Sequence, residues 1–468
     1  MQKTKMTFAL YYGNRGFFPS ELIAYAREEL KKAVTDAGYD FIEMQAELTR
    51  YGAVETIEEG KKYAEFLKQH RGEYDGVIVC LPNFGDENGA YYALKDAGVP
   101  ILMQAYPDEL GHMDFAHRRD AVCGKIAMCN VFRQAGIKYT LTKKFATSPL
   151  SDDFAEDLRL FAGTCRVVNG MKDFTIGAIG ARTTAFKTVR IDEIALQRHR
   201  INIETIDMSY VFDLMNGADE KELAEKKAYV KNIADFGNYP DIKAENLARF
   251  YIAVQKLVKD FNLNALAIRC WNELQLHYGI APCMILGDMN EHGINCACEL
   301  DVDNAVMMRA LNLASDHPVM LYDVNNNYGD DEKKCIFFHC GPSPKSMMDG
   351  KLHVEEHLMF KKSYGEESGV GLAVGKVKQQ EVTIGSVKTE DGKICAFATE
   401  GRFTNDKLDK EFFGCGCVFE KKNGTSDEML NYMATNGYRH HVAIAAGDWS
   451  ESVNEAFGKY LGYDIDII

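Results

Sequence analysis

Carboxylates and imidazoles are the side chains that move protons and bind cations, and one stretch of this chain gathers them around turns. It runs from Arg269 to Asp301, RCWNELQLHYGIAPCMILGDMNEHGINCACELD. The preceding run NALAI reads as a short buried strand, which places Glu273 just past a strand end. CMIL (Cys283 to Leu286) reads as a second apolar run at a strand end, after which NCACELD carries Glu299 and Asp301 into the helix-like VDNAVMMRALNLA. Two carboxylate sites then flank one cleft. In parallel α/β sheets ligands gather outside the carboxyl ends of strands, so the placement suits an active site. A second reading stands beside it: a Glu after a strand is commonly a solvated loop residue, and Asp301 suits a helix N-terminus, where backbone N–H groups lack partners. Spacing leaves both open.

Histidines supply the other half of such a site. His440 and His441 head the apolar run VAIAAG, and His339 in FFHCG is the rival. Imidazole pairs readily with backbone, so a strand-start His is usually structural. Side chains alternate along a strand, so if one of the adjacent pair is a ligand, the other is expected to point elsewhere or support it. Near the start, Arg15 between Gly13 and Gly16 and Phe84 in the PNFGDE loop are further candidates at strand ends, each of which could equally be a turn or packing residue.

The scaffold that must position these groups follows from size and pattern. A chain of 468 residues exceeds one ordinary core. Its 46% hydrophobic and 26% charged residues fit a globular protein. A net charge of -15 without a Lys/Arg stripe argues against a nucleic-acid partner. No apolar run is long enough to span a bilayer and no secretory leader is recognisable, so a cytoplasmic protein is expected. The thirteen cysteines show no disulfide framework, and the C-x-C pairs Cys296/Cys298 and Cys415/Cys417 lack zinc-site spacing.

In chain order, MTFALYYG, a helix opened by Pro19 and Ser20, Phe41 to Met44, DGVIVCLPNFGDE and VPILMQAY alternate strands and helices as a doubly wound parallel sheet does. FTIGAIGAR restarts the pattern, with strands at Phe174 to Ile179 and Ile201 to Asp207 and helical tracts at Asp219 to Phe236 and Ile242 to Phe261. Beyond Leu313, PVMLYDVNNN, CIFFHCG, HVEEHLMF, GVGLAVGKVKQQEVTIGSVKT, KICAFATEG and CGCVFEK are short β-rich runs between turn residues. The expected architecture is α/β: two doubly wound parallel-sheet domains, 1–168 and 169–312, the second carrying the catalytic segment, then a β-rich barrel-like domain over 313–468 with a closing helix. No G-x-G-x-x-G fingerprint follows either first strand, which excludes a nicotinamide oxidoreductase of the usual kind.

GNRGFFP, CLPNFGDE, RCWNEL, ACELDVDNAVMMRAL, MLYDV, FFHCG and GYRHHVAIAAGD occur in an order that resembles the L-fucose isomerase and L-arabinose isomerase superfamily of aldose–ketose isomerases over nearly the whole length. The resemblance implies a divalent metal, usually Mn2+ (alternatively Mg2+ or Co2+), held by Glu273, Asp301 and His441, with Glu273 and Asp301 also the catalytic acid and base. It further implies that Arg15, Phe84, Glu299, His440, Asp323 and His339 contact substrate. A homo-oligomer, trimer or hexamer, is expected, with Arg15 reaching a neighbouring site; no nucleic-acid or membrane partner is. Glu299 stands two residues from Asp301 and competes with it as the ligand, as His440 does with His441. The implied reaction is a metal-dependent conversion of a free aldose to a ketose through an enediolate. An acidic sugar such as sulfoquinovose, or a non-catalytic sugar-binding homologue, are the alternatives.

Overall fold

A computed structural model describes residues 5–183, 185–409 and 414–468. The chain divides into two compact units, Met1–Asn169 and Gly170–Ile468.

In the first unit the four runs predicted as strands, joined by a short fifth strand that the sequence pattern did not mark, form a parallel sheet of order β2-β1-β3-β4-β5, with β1 Thr7–Tyr12, β2 Asp40–Glu43, β3 Gly76–Leu81, β4 Ile101–Ala105 and β5 Thr140–Leu141. Alternation along the strands sends successive side chains to opposite faces. Ala9, Tyr11, Val77, Val79 and Leu81 enter one core and Phe8, Leu10, Tyr12, Ile78 and Cys80 the other. Helices cover both faces: α1 Glu21–Asp36, α2 Ile57–Gln69, α3 Glu87–Leu94, α4 Ala121–Gln134 and α5 Asp152–Gly170. Thr56 and Asp86 cap α2 and α3 by accepting backbone N–H groups of the first turn.

The second unit opens with a four-stranded parallel sheet, β7-β6-β8-β9, built from β6 Phe174–Ile179, β7 Ile201–Ile206, β8 Ala265–Ile268 and β9 Asn295–Cys298. Between these strands lie α6 Glu193–Arg198, α7 Met208–Asn216, α8 Glu220–Ile233, α9 Asp241–Asp260, α10 Glu273–Tyr278 and α11 Cys283–Glu291. The apolar run CMIL therefore belongs to a helix, not to a strand end. Short apolar runs do not distinguish a strand from a wholly buried helix, and here Pro282 opens a helix whose residues from Cys283 to Gly287 are all buried. The strand in this region is NCAC, and Glu299 follows its last residue directly.

After α12 (Val302–Ser315) the chain builds a barrel from β10 Val319–Asn327 and β11 Lys334–His339; then come β12 Met348–Glu356, α13 Leu358–Tyr364 and β13 Val370–Val377, and the barrel resumes with β14 Gln380–Glu390, β15 Lys393–Phe403 and β16 Cys415–Lys421. The chain ends with α14 Ser426–Thr435, β17 His441–Ala446, α15 Ser450–Asn454 and β18 Asp464–Ile467. Six strands close in the antiparallel order β14-β17-β10-β11-β16-β15, with β15 returning to β14; β18 adds to β15 in parallel, and β12 and β13 form a separate ribbon. The architecture is thus α/β with parallel sheets first and a closed β-barrel last, as the sequence pattern predicts. HVEEHLMF is not all strand: β12 stops at Glu356, and His357 caps α13 by accepting the N–H of Met359. No helix among the described residues is long and apolar enough to cross a membrane.

Candidate metal centre and active site

Three chain segments supply the site. The first is the turn between β9 and α12. Glu299 and Leu300 both take left-handed backbone conformations, φ 59° and 62°, a region that costs a non-glycine residue roughly 1–2 kcal/mol. Strain of this kind concentrates where a side chain must be aimed at a ligand. The turn projects Glu299 forward while Asp301, two residues on, becomes the N-cap of α12 and accepts the N–H of Asn304 at 3.2 Å.

The barrel strands β10 and β17 are the second and third. They pair in antiparallel register with Asp323 opposite His441, so the two side chains rise from the same face. His441 is fully buried. Its Nδ1 lies 2.7 Å from Asp301 Oδ2, and an ionised carboxylate only accepts, so Nδ1 keeps its proton and Nε2 is the nitrogen that bears the lone pair once the ring is neutral. That Nε2 lies 3.0 Å from Glu299 Oε2 and 3.3 Å from Asp323 Oδ1. Neither His441 Nε2 nor Asp323 Oδ1 has a hydrogen-bond partner, although both are buried. Two orphaned ligand atoms, with a second carboxylate beside the same nitrogen, suit a cation.

Charge agrees with this geometry. Burial works against an ionised Asp301, but the Arg439 guanidinium and the His441 ring outweigh it and hold the carboxyl well below the usual carboxylate range. Glu299 is lowered too, burial being overcome by His441. Burial disfavours a charged His441, yet the flanking Asp301 and Glu299 raise it to about 10, so a cation arriving at Nε2 must displace a proton.

Two more histidines border the centre. His339, the last residue of β11, stands with Nε2 4.0 Å from Asp323 Oδ1 and 3.2 Å from Cys298 Sγ. Its Nδ1 accepts the backbone N–H of Cys340 at 2.8 Å, so a neutral His339 carries its proton on Nε2 and faces the centre as a donor. His440 places Nε2 3.8 Å from Asp323 Oδ1. Strict alternation predicts that His440 and His441 diverge, but both reach Asp323: β17 begins at His441, so His440 lies outside the strand and escapes its pleat.

The structure therefore brings together Glu299, Asp323, His339, His440 and His441. Two sets of possible ligands arise among the described residues, Glu299/His339/His441 and Asp323/His440/His441, and they share His441. Asp301 stands behind His441 with its oxygens taken by Arg439, Asn304 and the ring. Glu273 belongs to neither set. It opens α10 and accepts from Arg269 Nε at 2.7 Å, with a third of its side chain exposed. Arg15 and Phe84 lie in the first unit, where the guanidinium stacks on the ring at 4.0 Å, donates to Gly85 O and pairs with Glu87.

Sequence reasoning passed over Phe186, whose ring lies within 6 Å of Trp271, His440 and His441 and walls one side of the centre. It comes from a loop with no periodicity to mark it. Arg439 carried no periodic signal either, since it precedes the first residue of β17.

Comparison with known proteins now bears on this centre. The N-terminal domain of fucose/sulfoquinovose isomerases matches residues 9–172, and the C-terminal domain of L-fucose isomerases matches residues 337–468. The chain belongs to the L-fucose isomerase superfamily of aldose–ketose isomerases. Its curated relatives include the sulfoquinovose isomerase of Priestia megaterium, 24% identical over 88% of this chain and 90% of the relative, and that of Alkalicoccus urumqiensis, 26% identical over 83% and 85%. Within this isomerase family's C-terminal match lie His339, His440 and His441; Glu273, Glu299, Asp301 and Asp323 fall between the two matched domains.

Proposed function

We propose that the protein is a divalent-metal-dependent ketol isomerase acting on a free aldose, with the metal held by Glu299, Asp323 and His441. The fucose isomerase family is metal-dependent in general, and the donor set here fits a hard or borderline ion such as Mn2+, Mg2+ or Co2+. One observation carries the reading: the buried His441 Nε2 lies 3.0 Å from Glu299 Oε2 and 3.3 Å from Asp323 Oδ1, and neither Nε2 nor that Oδ1 has a hydrogen-bond partner. Asp301, first expected to be a ligand, instead serves as the carboxylate that fixes the His441 tautomer.

When bound, the metal would hold substrate oxygens and offset the negative charge they acquire during isomerisation. Turning an aldose into a ketose moves a proton from C2 to C1 and another from O2 to O1. Glu273 is the proposed proton carrier for carbon. It lies outside the ligand sets, and its contact with Arg269 orients it. His339, with its proton on Nε2, donates to a sugar oxygen. Phe186 and Trp271 exclude water from one face, which strengthens every polar contact beneath them.

The relatives' names place sulfoquinovose first among substrates to test, ahead of fucose and pentoses. A homo-oligomer in which Arg15 and Phe84 serve a neighbouring site completes the reading. The loop after β4 leaves Leu110 and Phe115 93% and 80% exposed, apolar surface that a neighbouring subunit would cover. The test is ketose formation from a panel of aldoses, a sulfonated one included, by protein stripped of metal and then given Mn2+. Activity that appears only with Mn2+ supports the proposal; Mn2+-independent turnover, or no Mn2+ binding, refutes it.

A further inference from the structure

We infer that Arg439 is a positioning residue of the metal centre, acting through Asp301 on His441; the inference rests on the proposed metal site. Arg439 is 5% exposed and divides its guanidinium between two buried carboxylates. One terminal nitrogen pairs with Asp301 Oδ1, and the other donates to Asp303 Oδ2 at 2.8 Å.

Each carboxylate is fixed from a second direction. Asn304 Nδ2 donates to Asp301 Oδ2 at 2.7 Å, and Asp303 accepts the N–H of Thr389 at 2.9 Å. Asn304 reaches further: the same Nδ2 donates to the backbone O of His441 at 3.2 Å, while its Oδ1 accepts from Ser386 Oγ and the N–H of Val387. The N-terminus of α12, strand β14 and the start of β17 are thereby locked together with His441 at the junction, its ring held by Asp301 and its carbonyl by Asn304.

A planar fork with two fixed donors does what a point charge on a flexible stem does not. It sets the position of Asp301 Oδ2 as well as its charge, and that oxygen decides which ring nitrogen of His441 holds the proton and where Nε2 points. Outer partners of this kind change metal affinity by about 10–100-fold when altered. Asp303 holds the second arm of the fork.

The experiment titrates Mn2+ into folded Arg439→Lys and Asp301→Asn proteins, reading free Mn2+ by electron paramagnetic resonance and the fold by circular dichroism. Both variants are expected to bind Mn2+ about 10–100-fold more weakly and to regain turnover at saturating Mn2+, a recovery that a merely structural defect would not show. Parental Mn2+ affinity in folded Arg439→Lys overturns the inference. Should that variant fail to fold, Asp301→Asn decides by the same readings, and parental affinity there overturns it equally. His441→Ala separates the two levels. Parental Mn2+ binding in that variant sinks the metal reading and this inference with it. Binding lost in His441→Ala but kept in the other two sinks the inference alone.

Discussion

Asp301 meets Nδ1 of His441 at 2.7 Å, with both side chains wholly out of solvent. A buried carboxylate with every oxygen engaged is poorly placed to accept a proton from a sugar. Its effect is transmitted through the imidazole, whose far nitrogen looks toward Glu299 and Asp323.

The division of labour between Glu299 and Glu273 can be separated by experiment. Glu299→Gln is expected to weaken Mn2+ binding by roughly 100-fold or more, since changes one shell further out already cost about 10–100-fold. Glu273→Gln should leave Mn2+ affinity as it is and lower kcat by about 100- to 10,000-fold, the range of a general acid–base contribution. A Glu273→Gln protein that loses Mn2+ would move Glu273 into the ligand set; one with normal turnover would remove it from the mechanism.

Phe186 provides a test of the apolar wall. Its ring contacts Trp271 and both adjacent histidines, and aromatic contacts of this type contribute about 0.5–1.5 kcal/mol. Phe186→Ala should raise KM by about 2- to 10-fold with Mn2+ affinity unchanged. Steady-state kinetics at saturating Mn2+ measure it, and an unaltered KM would show that the sugar does not touch this wall.

Most strands of the parallel sheets and the barrel are legible as apolar runs bounded by turn residues, whereas β5, only two residues long, and β9, the NCAC run, carry no such mark. Phe174 to Ile179 matches its strand residue for residue. CMIL was misread because a helix buried on all sides has no polar face to reveal its period. At the site, chemistry could be read but orientation could not. Glu299 and Asp301 are both acidic, and only the left-handed turn at Glu299–Leu300 determines which one faces the centre. His440 and His441 stand out in the sequence as a pair, yet which lies inside the strand depends on where β17 begins, a boundary that sequence fixes only to within a few residues.

The PNFGDE loop owes its course to a glycine elsewhere. A Cβ on Gly124 of α4 would stand 1.7 Å from the carbonyl oxygen of Phe84, so the loop can lie on that helix only while residue 124 has no side chain. Gly124→Ala should destabilise the first unit by about 1–3 kcal/mol, as overpacking does, and displace Phe84 from beneath Arg15. Thermal unfolding measures the first effect. Unchanged stability would mean that loop and helix are not in contact.

Lys125, one residue further along α4, gives the stability of the first unit a pH dependence of definite sign. It is fully buried, donates to Thr142 Oγ1 and the carbonyl of Phe145, both at 2.8 Å, and lies 4.7 Å from the Phe145 ring. Burial pushes its pKa down to about 8, against 10.5 in the open chain. Below pH 8 both states carry the proton and the penalty of burying the charge is felt in full. Between 8 and 10.5 the unfolded chain holds more protons than the folded one, so stability rises with pH across that window. Buried Tyr11 and Tyr63 act in the opposite sense at its upper end, because burial raises them and they stay protonated while the unfolded chain ionises. The Lys125 contribution is therefore read as a difference: the urea midpoint of the parent, relative to Lys125→Met, should climb as pH goes from 8 to 10. A difference that does not change with pH would show that Lys125 keeps its proton in the folded protein.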